Sequence, residues 1–231
     1  MSYDDDRVLQ ISDLKVTLEG KVILENVSFT VRRGEVLTIL GPNGAGKTVL
    51  LRALLGIVPY EGLITWKKGA RIGYVPQRLP YIKNIPLSVA EFFALRHKGE
   101  AVDKMLEAVG LGAELVEEPI GDFSSGQFQR LLIAWALAKN PDVLLFDEPT
   151  AGIDIGGEET VYGLLARLQR ERNLTMLLVT HDLAVVHRLS SMVLCLNRQP
   201  VCMGPPLSAL TPENLQRLYG AEVKFYEHRH P

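Results

Sequence analysis

Cysteine is nearly missing from this chain of 231 residues: Cys195 and Cys202 are the two it has. That excludes a small secreted scaffold held together by disulfides. In a reducing compartment the pair is expected to be two buried thiols rather than a bridge. No apolar run approaches the ~20 residues that span a bilayer, so no transmembrane helix is expected. The first residues, Met1-Ser2-Tyr3-Asp4-Asp5-Asp6, are acidic and lack the pattern of a signal peptide. A cytosolic location is therefore expected. Nor is there a basic excess. The 25 Lys and Arg against 27 Asp and Glu leave a net charge of −2, which speaks against a nucleic-acid partner because no surplus cation is left to neutralise phosphates. Repeats, heptads and low-complexity linkers are also missing. What is there is a globular composition, 47% hydrophobic and 23% charged, long enough to bury a full core in one or two domains.

The densest signal is Gly41-Pro42-Asn43-Gly44-Ala45-Gly46-Lys47-Thr48, which fits the phosphate-binding pattern G-x-x-x-x-G-K-[ST]. Backbone N–H groups can curl around phosphate oxygens only where few side chains intervene, so the three glycines keep the loop bare. Lys47 brings a point charge to the outer phosphates, and the Thr48 hydroxyl is placed to ligate Mg²⁺. Val36 to Leu40 reads as a buried strand running into the loop. Val49 to Leu55 reads as the helix leaving it, stopped by Gly56, with its positive N-terminal end toward the phosphate.

Around this loop the periodicity changes twice. Leu9 to Val31 alternates apolar and polar residues with a turn at Glu19-Gly20-Lys21, predicting a small antiparallel sheet. Leu63 to Trp66 reads as a strand, and Lys67-Lys68-Gly69 as the turn back into a strand Arg71 to Val75, ended by Pro76-Gln77. From Pro86 to Lys139 the pattern is helical. Ser88 and Glu91 form a capping box, Asp103 to Val109 a short helix closed by Gly110, and Ser124 the cap of a longer helix. The expectation is a helical subdomain, about 78–140, inserted into an α/β core. Val143 to Phe146 is a continuous apolar strand of the kind found in parallel sheets. A helix from Glu158 to Arg172, a strand Met176 to Thr180, a helix Leu183 to Arg188, a hairpin across Asn197 to Pro200 and a last helix from Thr211-Pro212-Glu213 follow.

Two further groups carry chemistry. Asp147-Glu148 closes the Val143–Phe146 strand, and acidic residues at that end of a parallel strand lie where such sheets bind ligands. Asp147 can hold Mg²⁺, and Glu148 can polarise water for attack on a γ-phosphate. Phe123-Ser124-Ser125-Gly126-Gln127 opens a helix, a bare Ser/Gly N-terminus suited to an anion; taken alone it reads better as an ordinary capped helix.

In order, the phosphate loop, Gln77, Ser124 to Gln127, Asp147-Glu148, Thr150-Ala151-Gly152-Ile153-Asp154 and His181 resemble the ATP-binding subunit of an ABC transporter, over essentially the whole chain. Gly69 to Gln77, the short gap before Gln77, Leu194-Cys195-Leu196-Asn197 and the Tyr219 to His230 tail resemble more narrowly the zinc/manganese importer branch. The resemblance implies a single ATP-binding domain with an α/β fold, a mostly parallel sheet, an antiparallel subdomain and the helical insert. It implies ATP hydrolysis with Mg²⁺, two copies packed head to tail around two ATP molecules, and an integral permease that holds the chain on the inner face of the cell membrane. A substrate-binding protein would be reached indirectly. Residue by residue, Gln77 resembles the glutamine that contacts Mg²⁺ and senses the permease. Ser124, Ser125, Gly126 and Gln127 resemble the signature that covers the γ-phosphate of ATP held by the other copy. Asp154 resembles the aspartate at the dimer seam, and His181 the switch histidine on the γ-phosphate.

The chain departs from the family at two of these positions. Leu18 stands where the family has an aromatic residue stacked on adenine, and Ser125 where it has a glycine. Other cargoes, such as siderophores or haem, share every motif above. A soluble member acting on DNA or ribosomes is disfavoured by the single cassette, the missing heptads and the slight negative charge. Two imidazoles and a carboxylate in the tail, His228, His230 and Glu227, are ligand types for zinc, although terminal segments are usually solvated.

Overall fold

A computed structural model describes residues 6–77, 86–95, 101–150 and 155–220, and for 155–159 the backbone only. Asp154 and the tail histidines lie outside the described residues, as do positions 78–85 of the expected helical insert.

Two long strands open the chain. β1 (Arg7–Leu18) and β2 (Lys21–Arg32) pair antiparallel. Their two-residue turn, Glu19-Gly20, has positive φ at both positions, the turn whose twist matches that of a hairpin. β3 (Val36–Leu40) then enters a second sheet, and β4 (Glu61–Trp66) returns to the first, pairing with β1 to give the order β2-β1-β4. The second sheet has six strands. With β5 (Ile72–Val75), β6 (Val143–Asp147), β7 (Thr175–Val179), β8 (Met192–Asn197) and β9 (Gln199–Gly204), its order is β5-β6-β7-β3-β8-β9. All its pairs are parallel except β8 with β9.

β3, β6 and β7 are buried at every residue, because both faces of a parallel sheet are covered. Alternate residues divide between two cores. Leu37, Ile39, Val143, Leu145, Leu177 and Val179 pack with β1, β2 and α1 (Lys47–Leu54). Leu144, Phe146, Met176 and Leu178 pack on the other face with α2 (Val89–Ala94), α3 (Val102–Ala108), α4 (Ser125–Leu137) and α5 (Ile155–Arg172). Each fully buried side chain such as Phe146 contributes ~1.5–3 kcal/mol. α6 (Leu183–Leu189), α7 (Pro206–Ala209) and α8 (Pro212–Tyr219) are the last helices among the described residues, with Thr211 capping α8 through the Asn214 N–H.

Several details differ from the sequence expectation. The Lys67–Gly69 turn forms, with Ala70 N–H on the Lys67 carbonyl, but it does not join a hairpin. β4 pairs with β1 and β5 with β6, so the chain changes sheets there. α5 begins at Ile155, three residues before Glu158. The β8–β9 connection is a single residue, Arg198, with φ 61°. α7 is a turn that no periodicity marked. The cysteines are not free thiols. Cys195 and Cys202 are direct partners across β8 and β9, with Cα atoms 4.9 Å apart, and are joined by a disulfide. Antiparallel neighbours at that spacing are within bridging distance, which cysteine counting does not reveal.

Candidate active site

The loop between β3 and α1 is shaped by what presses on it. Gly41 lies so close to the Leu196 carbonyl that a Cβ would collide with it, and a Cβ on Gly46 (φ 94°) would stand 2.6 Å from Leu24 Cδ2. The Arg198 N–H donates to the Ala45 carbonyl at 3.0 Å. The β8–β9 hairpin and β2 therefore brace the loop from outside. Lys47 is 6% exposed. Its Nζ donates to the carbonyls of Gly41 at 2.8 Å and Pro42 at 3.0 Å, and stands 3.9 Å from Glu148 Oε1. Burial lowers the pKa of this ammonium, while the charges of Glu148 and Asp147 push it back up.

Asp147 ends β6 at 2% exposure. Thr48 Oγ1 donates to its Oδ1 at 3.0 Å. Burial pushes the Asp147 carboxyl up, the Thr48 hydrogen bond pulls it down, Glu148 raises it again, and Arg52 and Lys47 oppose. Next to it on β5, the Tyr74 phenol is also raised, first by burial and then by the Asp147 charge.

Glu148 has a left-handed backbone, φ 46°, and its N–H donates to the Val179 carbonyl at 3.1 Å. A non-glycine residue there carries ~1–3 kcal/mol of strain, and such outliers gather at functional sites. The turn lifts the carboxylate off the strand line. One oxygen faces Lys47, and the other accepts from Gln77 Nε2 at 2.8 Å. Gln77, Lys47, Thr48, Asp147 and Glu148 thus meet beyond the carboxyl ends of β3, β5 and β6.

The other expected residues among those described are His181, Ser124, Ser125, Gly126, Gln127 and Leu18. His181 is exposed, two residues beyond the end of β7. Asp182 caps α6, its Oδ1 accepting from the Ala184 N–H at 2.8 Å. Ser124 and Gln127 bond each other in a capping box: Gln127 N–H to Ser124 Oγ at 3.2 Å and Ser124 N–H to Gln127 Oε1 at 2.9 Å. Ser125, exposed, is the first helical residue of α4, followed by Gly126. Leu18 ends β1, half-buried against the core under that sheet. Sequence reasoning missed Tyr74, whose phenol is hydrogen-bonded to Asp147.

A family described as ABC transporter matches residues 24–151, from β2 through the Asp147-Glu148 pair. The chain is 37% identical to a zinc import ATP-binding protein of Pseudomonas savastanoi pv. phaseolicola, over 97% of this chain and 87% of that protein. It is 38% identical to one of Brucella abortus, over 97% and 78%. Among solved structures it is similar to an inward-facing metal-chelate type ABC transporter, with TM-score 0.83, 27% identity and coverage of 93% and 89%. It is also similar to cbiO1 of Clostridium perfringens, part of the ABC transporter complex cbiONQ, with TM-score 0.77, 28% identity and coverage of 92% and 94%. Extended over nearly the whole length and including the phosphate loop with its two carboxylates, this likeness is one of membership: the chain belongs to the ABC transporter family, as an ATP-binding and ATP-hydrolysing subunit.

Proposed function

We propose that the chain drives a permease that imports a divalent metal ion, zinc or manganese. The observation that carries the catalytic part is Glu148 held between Gln77 and Lys47 beside the Thr48–Asp147 pair. The zinc-import relatives at 36–38% identity support the cargo.

ATP enters with its phosphates at the N-terminus of α1, where loop N–H groups and the helix dipole favour negative charge. Lys47 exchanges the carbonyls of Gly41 and Pro42 for outer phosphate oxygens. Leu18 offers the adenine an apolar contact without stacking. Glu148 aims the attacking water at the γ-phosphorus and accepts its proton, as the new P–O bond forms and the P–O bond to the departing ADP breaks. Thr48 Oγ1, Asp147 Oδ1 and the Gln77 amide oxygen are the hard donors that would hold Mg²⁺, which when bound neutralises charge across the β- and γ-phosphates. His181 contacts the γ-phosphate.

The Ser124–Gln127 turn has no task at its own phosphate site, and serves the ATP of a second copy packed head to tail, with Asp154 at the seam. The chain forms one ATP-binding domain, its residues 78–140 a helical insert. No helix among the described residues is long and apolar enough to cross a membrane. Attachment to the inner face of the membrane comes through the permease, and a substrate-binding protein outside delivers the cargo.

The test is to purify the chain with the membrane protein that accompanies it, place the complex in vesicles and measure ATP-driven uptake. Uptake of free zinc or manganese is expected. Uptake of an iron–siderophore complex or haem, with none of the free cations, would overturn the cargo and leave the ATPase standing.

A further inference from the structure

Tyr162 is a polar group placed deep in the protein. It lies on α5 at 4% exposure, and its hydroxyl stands 3.0 Å from Thr150 Oγ1 and 3.3 Å from Thr180 Oγ1. Both threonines are buried, at 7% and 2%. Thr150 comes two residues after Glu148, and Thr180 directly precedes His181. Thr180 Oγ1 also accepts the Asp182 N–H at 3.1 Å. In each of the two hydroxyl pairs either oxygen can be the donor. A cavity of about 370 Å³ opens beside the three hydroxyls, and His181 and Asp182 line it as well.

This clasp is the second tie between the same two strand ends. The first is backbone: β6 and β7 pair to Asp147 and Val179, and the Glu148 N–H extends the ladder to the Val179 carbonyl. Beyond that point the strands part, and each continues into a segment with a proposed catalytic residue. Tyr162 joins them again from α5.

We infer that Tyr162 is a positioning residue for ATP hydrolysis. Its hydroxyl fixes the turn after Glu148 to the turn that carries His181, so the two residues keep one spacing across the γ-phosphate. The inference rests on the reading of His181 given above. A tyrosine that served packing alone would act on stability and leave turnover alone. A clasp between two reacting segments acts on turnover and leaves ATP affinity alone, because neither threonine nor Tyr162 belongs to the phosphate loop.

Tyr162→Phe keeps the ring and removes the oxygen. In the full-length protein, its ATP-saturated hydrolysis rate is expected to fall about tenfold, the scale of one misaligned hydrogen bond in the transition state. ATP affinity measured by titration is expected to stay within about twofold. His181→Ala and the double variant complete a cycle, read by single-turnover hydrolysis so that slow rates remain measurable. If Tyr162 acts through His181, the double variant is no slower than His181→Ala alone. Multiplying losses, or a Tyr162→Phe rate equal to wild type, overturns the inference while the His181 reading stands. A normal rate in His181→Ala sinks the His181 reading itself. Should Tyr162→Phe fail to fold, Thr150→Ala cuts the same clasp from the other end and is judged by the same cycle.

Discussion

Gln77 and Glu148 meet just past the ends of two neighbouring strands: the Gln77 amide donates to Glu148 Oε2 at 2.8 Å. The other oxygen of that carboxylate lies 3.9 Å from Lys47 Nζ. The acid is thus aimed by a neutral donor on one side and a cation on the other. The cation is the movable member, since its two further partners are loop carbonyls that phosphate oxygens can replace. The amide bond does not depend on that exchange. ATP binding that draws Lys47 away would leave Glu148 directed by Gln77 and by its own backbone bond to Val179.

Glu148→Gln tests the base. The amide is the same size and fits the same pocket, so ATP binding should persist. Hydrolysis should fall at least ~100-fold, the scale of losing general base assistance. An ATP-bound dimer should accumulate on size exclusion. Turnover near that of the wild type would assign the proton acceptor elsewhere.

Much of this arrangement was readable from the sequence, and the rest was not, for physical reasons. Val36 to Leu40 with the glycine loop, and the Ser88 and Ser124 caps, are local: their hydrogen bonds close within a few residues. The continuous apolar strands β6 and β7 announce burial on both faces. The path after Trp66 was misread because Lys67–Gly69 specifies a turn but not the sheet that receives the next strand. The Gln77–Glu148 bond spans 71 residues and the Tyr162 clasp joins three segments, so no local pattern signals either. The cysteine bridge depends on strand register: the turn at Arg198 alone would set Cys195 against Val201, and the register shift between Leu196 and Cys195 brings Cys202 opposite instead.

Leu18 bears on nucleotide choice. It ends β1, half-buried, and in the function proposed above it gives adenine an apolar contact and no aromatic face. Base–aromatic stacking is worth ~1–3 kcal/mol. GTP should therefore be hydrolysed within a few-fold of ATP, and Leu18→Tyr should tighten ATP by roughly tenfold, within that range. Equal ATP affinity in the two proteins, by calorimetry, would mean that another aromatic side chain stacks on the base.

The Cys195–Cys202 bridge ties β9 to β8 behind the phosphate loop. A bridge closing so short a loop stabilises by about 2 kcal/mol, which for a chain of this size is ~4–8 °C in melting temperature. Reductant should lower the melting temperature of the purified protein by that amount and release two titratable thiols. Cys202→Ser should melt at the reduced value with or without reductant. An unchanged melting temperature on full reduction would show that register and hydrogen bonding alone hold the hairpin.

Asp147 sets stability against function. Its carboxyl is raised above 3.8 chiefly by burial, against the pull of the Thr48 hydrogen bond. A raised folded value means that the folded protein holds a proton which the unfolded chain has already released. Between 3.8 and the folded value, stability from this group therefore falls as pH rises, and above that window the buried charge is a standing cost. Asp147→Asn removes the charge and keeps an oxygen for the Thr48 hydroxyl. The nucleotide-free variant should melt a few degrees higher at neutral pH, at roughly 2–4 °C per kcal/mol for this length, and its stability should depend less on pH in the acid range. Mg²⁺-dependent ATP hydrolysis should fall at least ~100-fold, because a neutral amide is a poor partner for a hard cation. Melting curves with and without MgATP measure both effects together: the nucleotide-induced upward shift should shrink while the baseline rises. A baseline that drops instead would mean that Asp147 is held by its cationic neighbours, Arg52 and Lys47, more strongly than burial opposes it.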